Sequence, residues 1–260
     1  ILYLLFISSP LKFNESYIAA VFCSLFIGII FYVFSTRPKI KEQNDNHNED
    51  FTKLYKKELG SFFIINVITM LMATLDTLMI GELLNMDSVA RYNVANKLAL
   101  LSSVFLVTVN VIIGPYFSKL WLQGKKQELR SSFLKITKYM IVIAIVVLSI
   151  FVFFGEYMLV LVFGDTYISS YNLLIILAVS QSIVLATGPV AYLLMMTDNS
   201  SSHRKSLYMA VGINIFLNLI LIPSYGITGA AIATGLSLVF KNVYSCIVAL
   251  KILDHETEIS

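Results

Sequence analysis

The sequence predicts an all-α, polytopic transmembrane helix bundle, and three observations support that prediction. Of the 260 residues, 57% are hydrophobic and 13% charged, with a mean hydropathy of +0.79, whereas a soluble domain carries about a quarter charged residues. Apolar runs long enough to cross about 30 Å of hydrocarbon recur along the whole chain. The runs lack the polar/apolar alternation of barrel strands, and an unpaired backbone group in lipid costs several kcal/mol, so they are read as helices.

The runs lie at about residues 17–34, 61–80, 93–116, 137–154, 171–196, 207–222 and 227–250. Ahead of them, Ile1 to Ile7 reads as the end of a further apolar run, and Ile rather than Met at position 1 implies sequence upstream. Signal-peptide character is not expected, because Lys12 follows that apolar stretch instead of preceding it. Between the first two full runs, residues 35–60 are polar, of mixed charge and rich in Asn, as a solvated linker should be.

Lys and Arg in short loops mark the cytoplasmic side. They cluster as Arg37, Lys39, Lys41, Lys53, Lys56 and Lys57; as Lys119, Lys125, Lys126, Arg130, Lys135 and Lys138; as Arg204 and Lys205; and at Lys251. The alternating connections 8–16, 81–91, 155–170 and 223–226 carry only Lys12 and Arg91. The C-terminus and the loops after Phe34, Tyr116 and Met196 are therefore expected in the cytoplasm. Within 119–138, Leu120, Trp121, Leu129, Phe133 and Ile136 stand among basic residues, the pattern of a short amphipathic helix on the inner leaflet with anionic lipids as partners; the alternative is a docking face for another protein.

The net charge of +3 is too small for a nucleic-acid partner, and the basic residues sit in short clusters between apolar runs and not along one helix. Cys23 and Cys246 both lie in apolar runs and read as buried small hydrophobes. His47, His203 and His255 fall in polar loops without metal-ligand spacing, and no phosphate-cradling Gly motif is present, so neither a cofactor nor catalytic residues are expected.

Polar groups inside the runs are the informative positions, since an ionisable one near the bilayer centre costs about 2.5–3.5 kcal/mol on insertion scales. Asn66, Thr69, Ala73 and Asp76 share one face of the second run. Asp76 fits either an internal ion pair or a coupling site for protons or sodium. The third run opens with Arg91, Asn93, Asn96 and Lys97, and Asn96, Ser103 and Asn110 continue a heptad-spaced face. Such a stripe, cationic at its outer end, fits a hydrated cavity for an anionic substrate; the alternative is that Arg91 and Lys97 snorkel to the outer interface. Asn214 and Asn218 lie one turn apart on the sixth run, while Ala230, Thr234, Ser237 and Lys241 line a face of the seventh. The small residues from Gly226 to Gly235 read first as a packing surface. Pro115 and Pro189 fit either bending points of a moving protein or static helix ends.

Several stretches together resemble the polysaccharide flippases, Wzx type, of the multidrug/oligosaccharidyl-lipid/polysaccharide exporter superfamily. They are DTLMIG from Asp76, VARYNVANKL from Val89, PYFSKL from Pro115, FGDTY from Phe163, and NLILIPSYGITGAAIAT from Asn218. Ala90-Arg91 stands where these proteins often carry Gly before the Tyr. The resemblance implies two six-helix lobes around a cavity that opens alternately to each side. Residues 1–34 would close an incomplete first lobe, 35–60 would be the cytoplasmic linker, 61–250 the second lobe and 251–260 a cytoplasmic tail. The implied substrate is an undecaprenyl-diphosphate-linked oligosaccharide, moved to the outer leaflet of a bacterial plasma membrane for O-antigen, capsule or a related surface polysaccharide.

Such a headgroup needs a hydrated path with amide and hydroxyl groups for sugars and cations for phosphates. An ion gradient or the membrane potential, worth about 2.3 kcal/mol per charge per 100 mV, can drive the cycle, with Asp76 as the coupling candidate. A cation-coupled multidrug exporter of the same superfamily would instead need several acids in its cavity. A membrane-embedded glycosyltransferase or polymerase would need a large polar external loop.

Overall fold

The computed structural model describes residues 46–255. The run at 17–34, the stub from Ile1 to Ile7, Cys23, the linker up to residue 45 and the end of the tail lie outside the described residues. Contacts divide the chain into two units that meet between Gly60 and Ser61, and the second carries the candidate functional groups.

All regular structure among the described residues is helical. The elements are α1 (Asn46–Leu83), α2 (Met86–Ala99), a 3-10 turn (Leu100–Ser102), α3 (Ser103–Leu122), α4 (Lys126–Phe163), a second 3-10 turn (Asp165–Ser170), α5 (Tyr171–Ala186), α6 (Val190–Met196) and α7 (Ser200–His255). Five helical stretches are long and apolar enough to span a bilayer: Phe63–Leu83, Met86–Leu122, Lys126–Phe163, Asp165–Ala186 and Ser200–Asp254. The chain is a multi-pass membrane protein of the all-α class. Its helices turn large apolar side chains outward, with Val111 66%, Ile112 68% and Phe153 78% exposed, as a surface that meets hydrocarbon requires.

Several boundaries differ from the sequence expectation. The expected linker is helical from Asn46 onward, as its Glu and Lys content permits. The connection 81–91 shrinks to a break at Leu84–Asn85, where Asn85 caps α2 by accepting a hydrogen bond from the Ser88 amide at 2.9 Å. The run 171–196 is not one helix, because Gly188, at φ 67°, and Pro189 interrupt it between α5 and α6. A side chain at Gly188 would also strike the Thr137 hydroxyl at 2.7 Å, so α4 passes close by.

The amphipathic segment 119–138 is not a separate in-plane helix. It ends α3, turns at Gln123–Lys125, and continues as the first turns of α4. At about 57 Å, α4 exceeds the hydrocarbon thickness and must project from it. Its apolar residues Leu129 and Phe133 are fully buried against Phe117, Leu120, Leu193, Leu194, Ala249 and Leu253. The apolar stripe is thus covered by protein and not by a leaflet.

The last two expected runs form one helical stretch, α7, broken at Gly226 (φ 59°, ψ −141°), a conformation confined essentially to glycine. In a straight helix Asn214 and Thr234 would stand about 30 Å apart. Both instead bond the same carboxylate, of Asp76, and Ser245 Oγ donates to Ser206 Oγ at 3.0 Å. The chain therefore doubles back at Gly226 into a hairpin of two antiparallel arms. Its small residues make this possible: Gly229 abuts the Leu221 backbone and Gly235 abuts Ser180 of α5, while Ala230, Ala231 and Ala233 are fully buried.

Two apolar cores flank the hairpin. One joins Ile80 of α1, Tyr92, Ala95 and Leu98 of α2, Phe151 and Leu159 of α4, Leu174 and Leu177 of α5, and Ala230 of α7. The other joins the end of α3 and the start of α4 to α6 and the end of α7. Buried polar groups include Asp76 on α1, Asn110 on α3, Ser180, Gln181 and Ser182 on α5, and Asn214, Asn218 and Thr234 on α7.

A candidate ion-coupling site

Asp76 is 3% exposed and stands one turn before Ile80, which anchors the first core. The two carboxylate oxygens divide their partners. Oδ1 accepts from Asn214 Nδ2 at 2.9 Å and Asn218 Nδ2 at 2.8 Å; Oδ2 accepts from Tyr92 Oη at 3.0 Å and Thr234 Oγ1 at 2.7 Å. One carboxylate thus gathers α1, α2 and both arms of α7. Helical spacing accounts for the convergence. Asn214 and Asn218 are one turn apart on the first arm, and Thr234 faces them after the reversal at Gly226.

Every partner of Asp76 among the described residues is neutral. Among the described residues it makes no ion pair. Tyr92 Oη and Thr234 Oγ1 also approach each other to 2.9 Å, and the Thr234 hydroxyl reaches its own-helix Ala230 carbonyl at 2.9 Å. The two hydroxyl protons have several places to go, so the cluster can rearrange without breaking up. Asn218 Oδ1 is buried and unpartnered, a free oxygen beside a carboxylate. A carboxylate held by two amide N–H groups and two hydroxyls, with the oxygens of Tyr92, Thr234 and Asn218 beside it, can take up a proton, and those oxygens are of the kind a hard alkali cation prefers.

The shared face expected of Asn66, Thr69, Ala73 and Asp76 divides in the structure: Asn66, Thr69 and Ala73 are exposed while Asp76 points inward. The heptad stripe of the third run is also interrupted. The 3-10 turn Leu100–Ser102 intervenes between Asn96 and Ser103, and its tighter winding rotates the downstream residues by about 60°. Ser103, half-buried, donates to the Leu100 carbonyl at 2.6 Å, whereas Asn110 is buried with Oδ1 unpartnered.

Arg91 is held at the surface by Asp87 at 2.8 Å and by Ser169 of the second 3-10 turn at 3.2 Å. Half-buried Asn93 accepts from Thr77 at 3.2 Å, tying α2 to α1. Asn96 is half-buried, and Lys97 is exposed in the last turn of α2. The candidates therefore do not form one stripe. Arg91 and Asn93 serve contacts between elements, and Lys97 is the cation that stays open. Tyr92 was not singled out by sequence; the usable signal was its position among the buried residues of α2, opposite Asp76.

Comparison with known proteins agrees with this architecture. Residues 15–172 match the family model described as "Polysaccharide biosynthesis protein". The chain is 24% identical over 233 residues to the "Uncharacterized membrane protein MJ1068" of Methanocaldococcus jannaschii, covering 88% of this chain and 46% of that protein. It is 29% identical over 170 residues to the "Probable low-salt glycan biosynthesis flippase Agl15" of Haloferax volcanii, covering 65% of this chain and 36% of that protein. The chain thus spans less than half the length of these relatives. No solved structure matches it.

Proposed function

Because the chain belongs to the polysaccharide biosynthesis protein family, we propose that it forms the second lobe of a flippase working by alternating access. Its cargo is an undecaprenyl-diphosphate-linked oligosaccharide, carried from the inner to the outer leaflet of the plasma membrane for a surface polysaccharide such as O-antigen or capsule. The observation that carries the reading is the Asp76 cluster. A static bundle gains nothing from a lone carboxylate buried among neutral donors, since charge in the bilayer is costly. A transporter gains a site that a proton or sodium ion can neutralise in one half of its cycle.

In this scheme Lys97, exposed on α2, meets the diphosphate, and Asn96, Asn93, Ser103 and Asn110 serve the sugar path. Arg91 has the weakest claim, being engaged with Asp87 and Ser169. The exposed Lys119, Lys135 and Lys138 fit anionic headgroups on the inner leaflet. The protein acts as a transporter and not as an enzyme.

Loss of the protein should trap lipid-linked oligosaccharide on the cytoplasmic leaflet, read by leaflet-selective enzymatic labelling; unpolymerised intermediates accumulating outside would overturn the assignment. Lys97→Ala should insert normally yet lower surface glycan by about tenfold, the worth of one charge-assisted contact. Unchanged export in that variant would remove Lys97 from the path. Orientation has its own test in intact cells. A cysteine at Thr166 should react with an impermeant maleimide and one at Gln123 should not; the reverse pattern would invert the topology.

A further inference from the structure

The scheme above leaves the ion at Asp76 open between a proton and an alkali cation, and the hydrogen bonds around the carboxylate discriminate between them. A carboxylate offers about four lone-pair sites. The Asn214 and Asn218 amides fill those of Oδ1, and the Tyr92 and Thr234 hydroxyls fill those of Oδ2. A metal ion would therefore need both amides turned to present their oxygens. Asn218 resists that turn, because its Nδ2 also donates to Asn214 Oδ1 at 3.1 Å.

A proton needs only rotating hydroxyls. With the proton on Oδ2, the new acid O–H donates to Tyr92 Oη across the same 3.0 Å. Tyr92 turns its own proton to Thr234 Oγ1 at 2.9 Å, and Thr234 turns its own to the Ala230 carbonyl at 2.9 Å. Oδ1 keeps both amide donors throughout. One proton is gained, one negative charge is lost, and no heavy atom has to move. Both states of the carboxyl are thus fully hydrogen-bonded, and the neutral one is free of the cost of charge inside a bilayer.

We propose that Tyr92 and Thr234 form a hydroxyl switch that makes Asp76 selective for a proton over sodium, with Tyr92 as the positioning residue. The proposal rests on the ion-coupling reading of Asp76 and adds the ion and the residues that select it. On the elements that meet or pack at Asp76, Tyr92 is the titratable group in contact with the carboxylate. Arg91 of α2 is paired with Asp87 at 2.8 Å, and Lys241 lies seven residues beyond Thr234 on α7. Glu82 of α1, Lys97 of α2 and Glu156 of α4 are exposed, and Tyr171 of α5 donates to the Val152 carbonyl.

Infrared difference spectra of the intact protein in phosphatidylcholine nanodiscs, stepped through pH, read a protonated carboxyl by its carbonyl band. A band that grows as pH falls and is missing from Asp76→Asn is expected. Tyr92→Phe takes one donor from the charged form, while the acid O–H can still reach Thr234 Oγ1 at 2.7 Å. About tenfold less proton should then half-convert the band. That shift also assigns the band if Asp76→Asn does not fold, since among the described residues Tyr92 Oη bonds no other carboxyl. Exchanging choline for sodium at constant ionic strength should leave the band unchanged. A band that sodium suppresses would give the site to the metal and overturn the switch; so would a band indifferent to Tyr92→Phe, or the absence of a titrating band. The leaflet assay stands apart. Normal flipping without a titrating Asp76 overturns only the switch, whereas a proton-selective Asp76 in a protein that flips nothing supports the switch and removes the carrier reading.

Discussion

Asp76→Asn is expected to leave the protein folded and stop its transport, whereas Asp76→Ala is expected to impair both. The difference follows from the division of partners. In Asp76→Asn the remaining carbonyl oxygen can accept from Asn214 and Asn218, and the new amide can donate to the oxygens of Tyr92 and Thr234. The Thr234 proton still has the Ala230 carbonyl at 2.9 Å. Little hydrogen bonding is lost, but the charge that a coupling ion must meet is gone. In Asp76→Ala the losses are uneven. Tyr92 keeps Thr234, and Asn218 keeps the Asn214 Oδ1 at 3.1 Å, while Asn214 Nδ2 loses the acceptor it has among the described residues. One unsatisfied buried donor plus a small void amounts to about 2–4 kcal/mol. Thermal melting in detergent separates the two variants, and leaflet-resolved labelling of lipid-linked oligosaccharide reads transport. Full transport by Asp76→Asn would remove ion coupling from this residue and leave it a structural hub.

How much of this was legible in the sequence depended on scale. The membrane class followed from composition and run length, because the cost of bare backbone in lipid leaves few alternatives. The polar residues of the cluster were visible individually: Asp76 by its charge, Asn214 and Asn218 by their spacing, Thr234 by its helical face. Their meeting was not visible, since it depends on the reversal at Gly226 and on α2 bringing Tyr92 to the same point. The stripe from Asn96 to Asn110 failed for a local reason: a periodicity of 3.6 cannot register a 3-10 turn of three residues in its middle. Leu129 and Phe133 misled in another way. An apolar stripe among lysines looks the same whether lipid or protein covers it, and here the ends of α3, α6 and α7 do.

Gly229→Ala should be the most damaging single-atom-scale change in the hairpin, more so than Gly226→Ala at the reversal itself. At Gly226 an added Cβ meets nothing within 4 Å, and the cost is backbone strain at φ 59° and ψ −141°, about 1–3 kcal/mol. At Gly229 the backbone is ordinary helix, but the Cβ would run into the Leu221 carbonyl and stand 3.0 Å from the Leu221 Cβ. A backbone carbonyl cannot rotate away as a side chain can, so the arms must part. Thr234 lies little more than one turn further along that arm, and parting draws its hydroxyl off Asp76. Overpacking typically costs about 1–3 kcal/mol, and the lost bond adds about 1 kcal/mol, for roughly 3 kcal/mol with transport failing alongside. Gly212→Ala is the control: it too has open space, its φ is ordinary, and helix propensity should make it neutral or stabilising by about 0.5–1 kcal/mol. Melting temperatures in the order Gly212→Ala, Gly226→Ala, Gly229→Ala, highest first, are expected. A Gly229→Ala protein that melts with the wild type would mean that the arms are not in backbone contact, and the convergence on Asp76 would then need another cause.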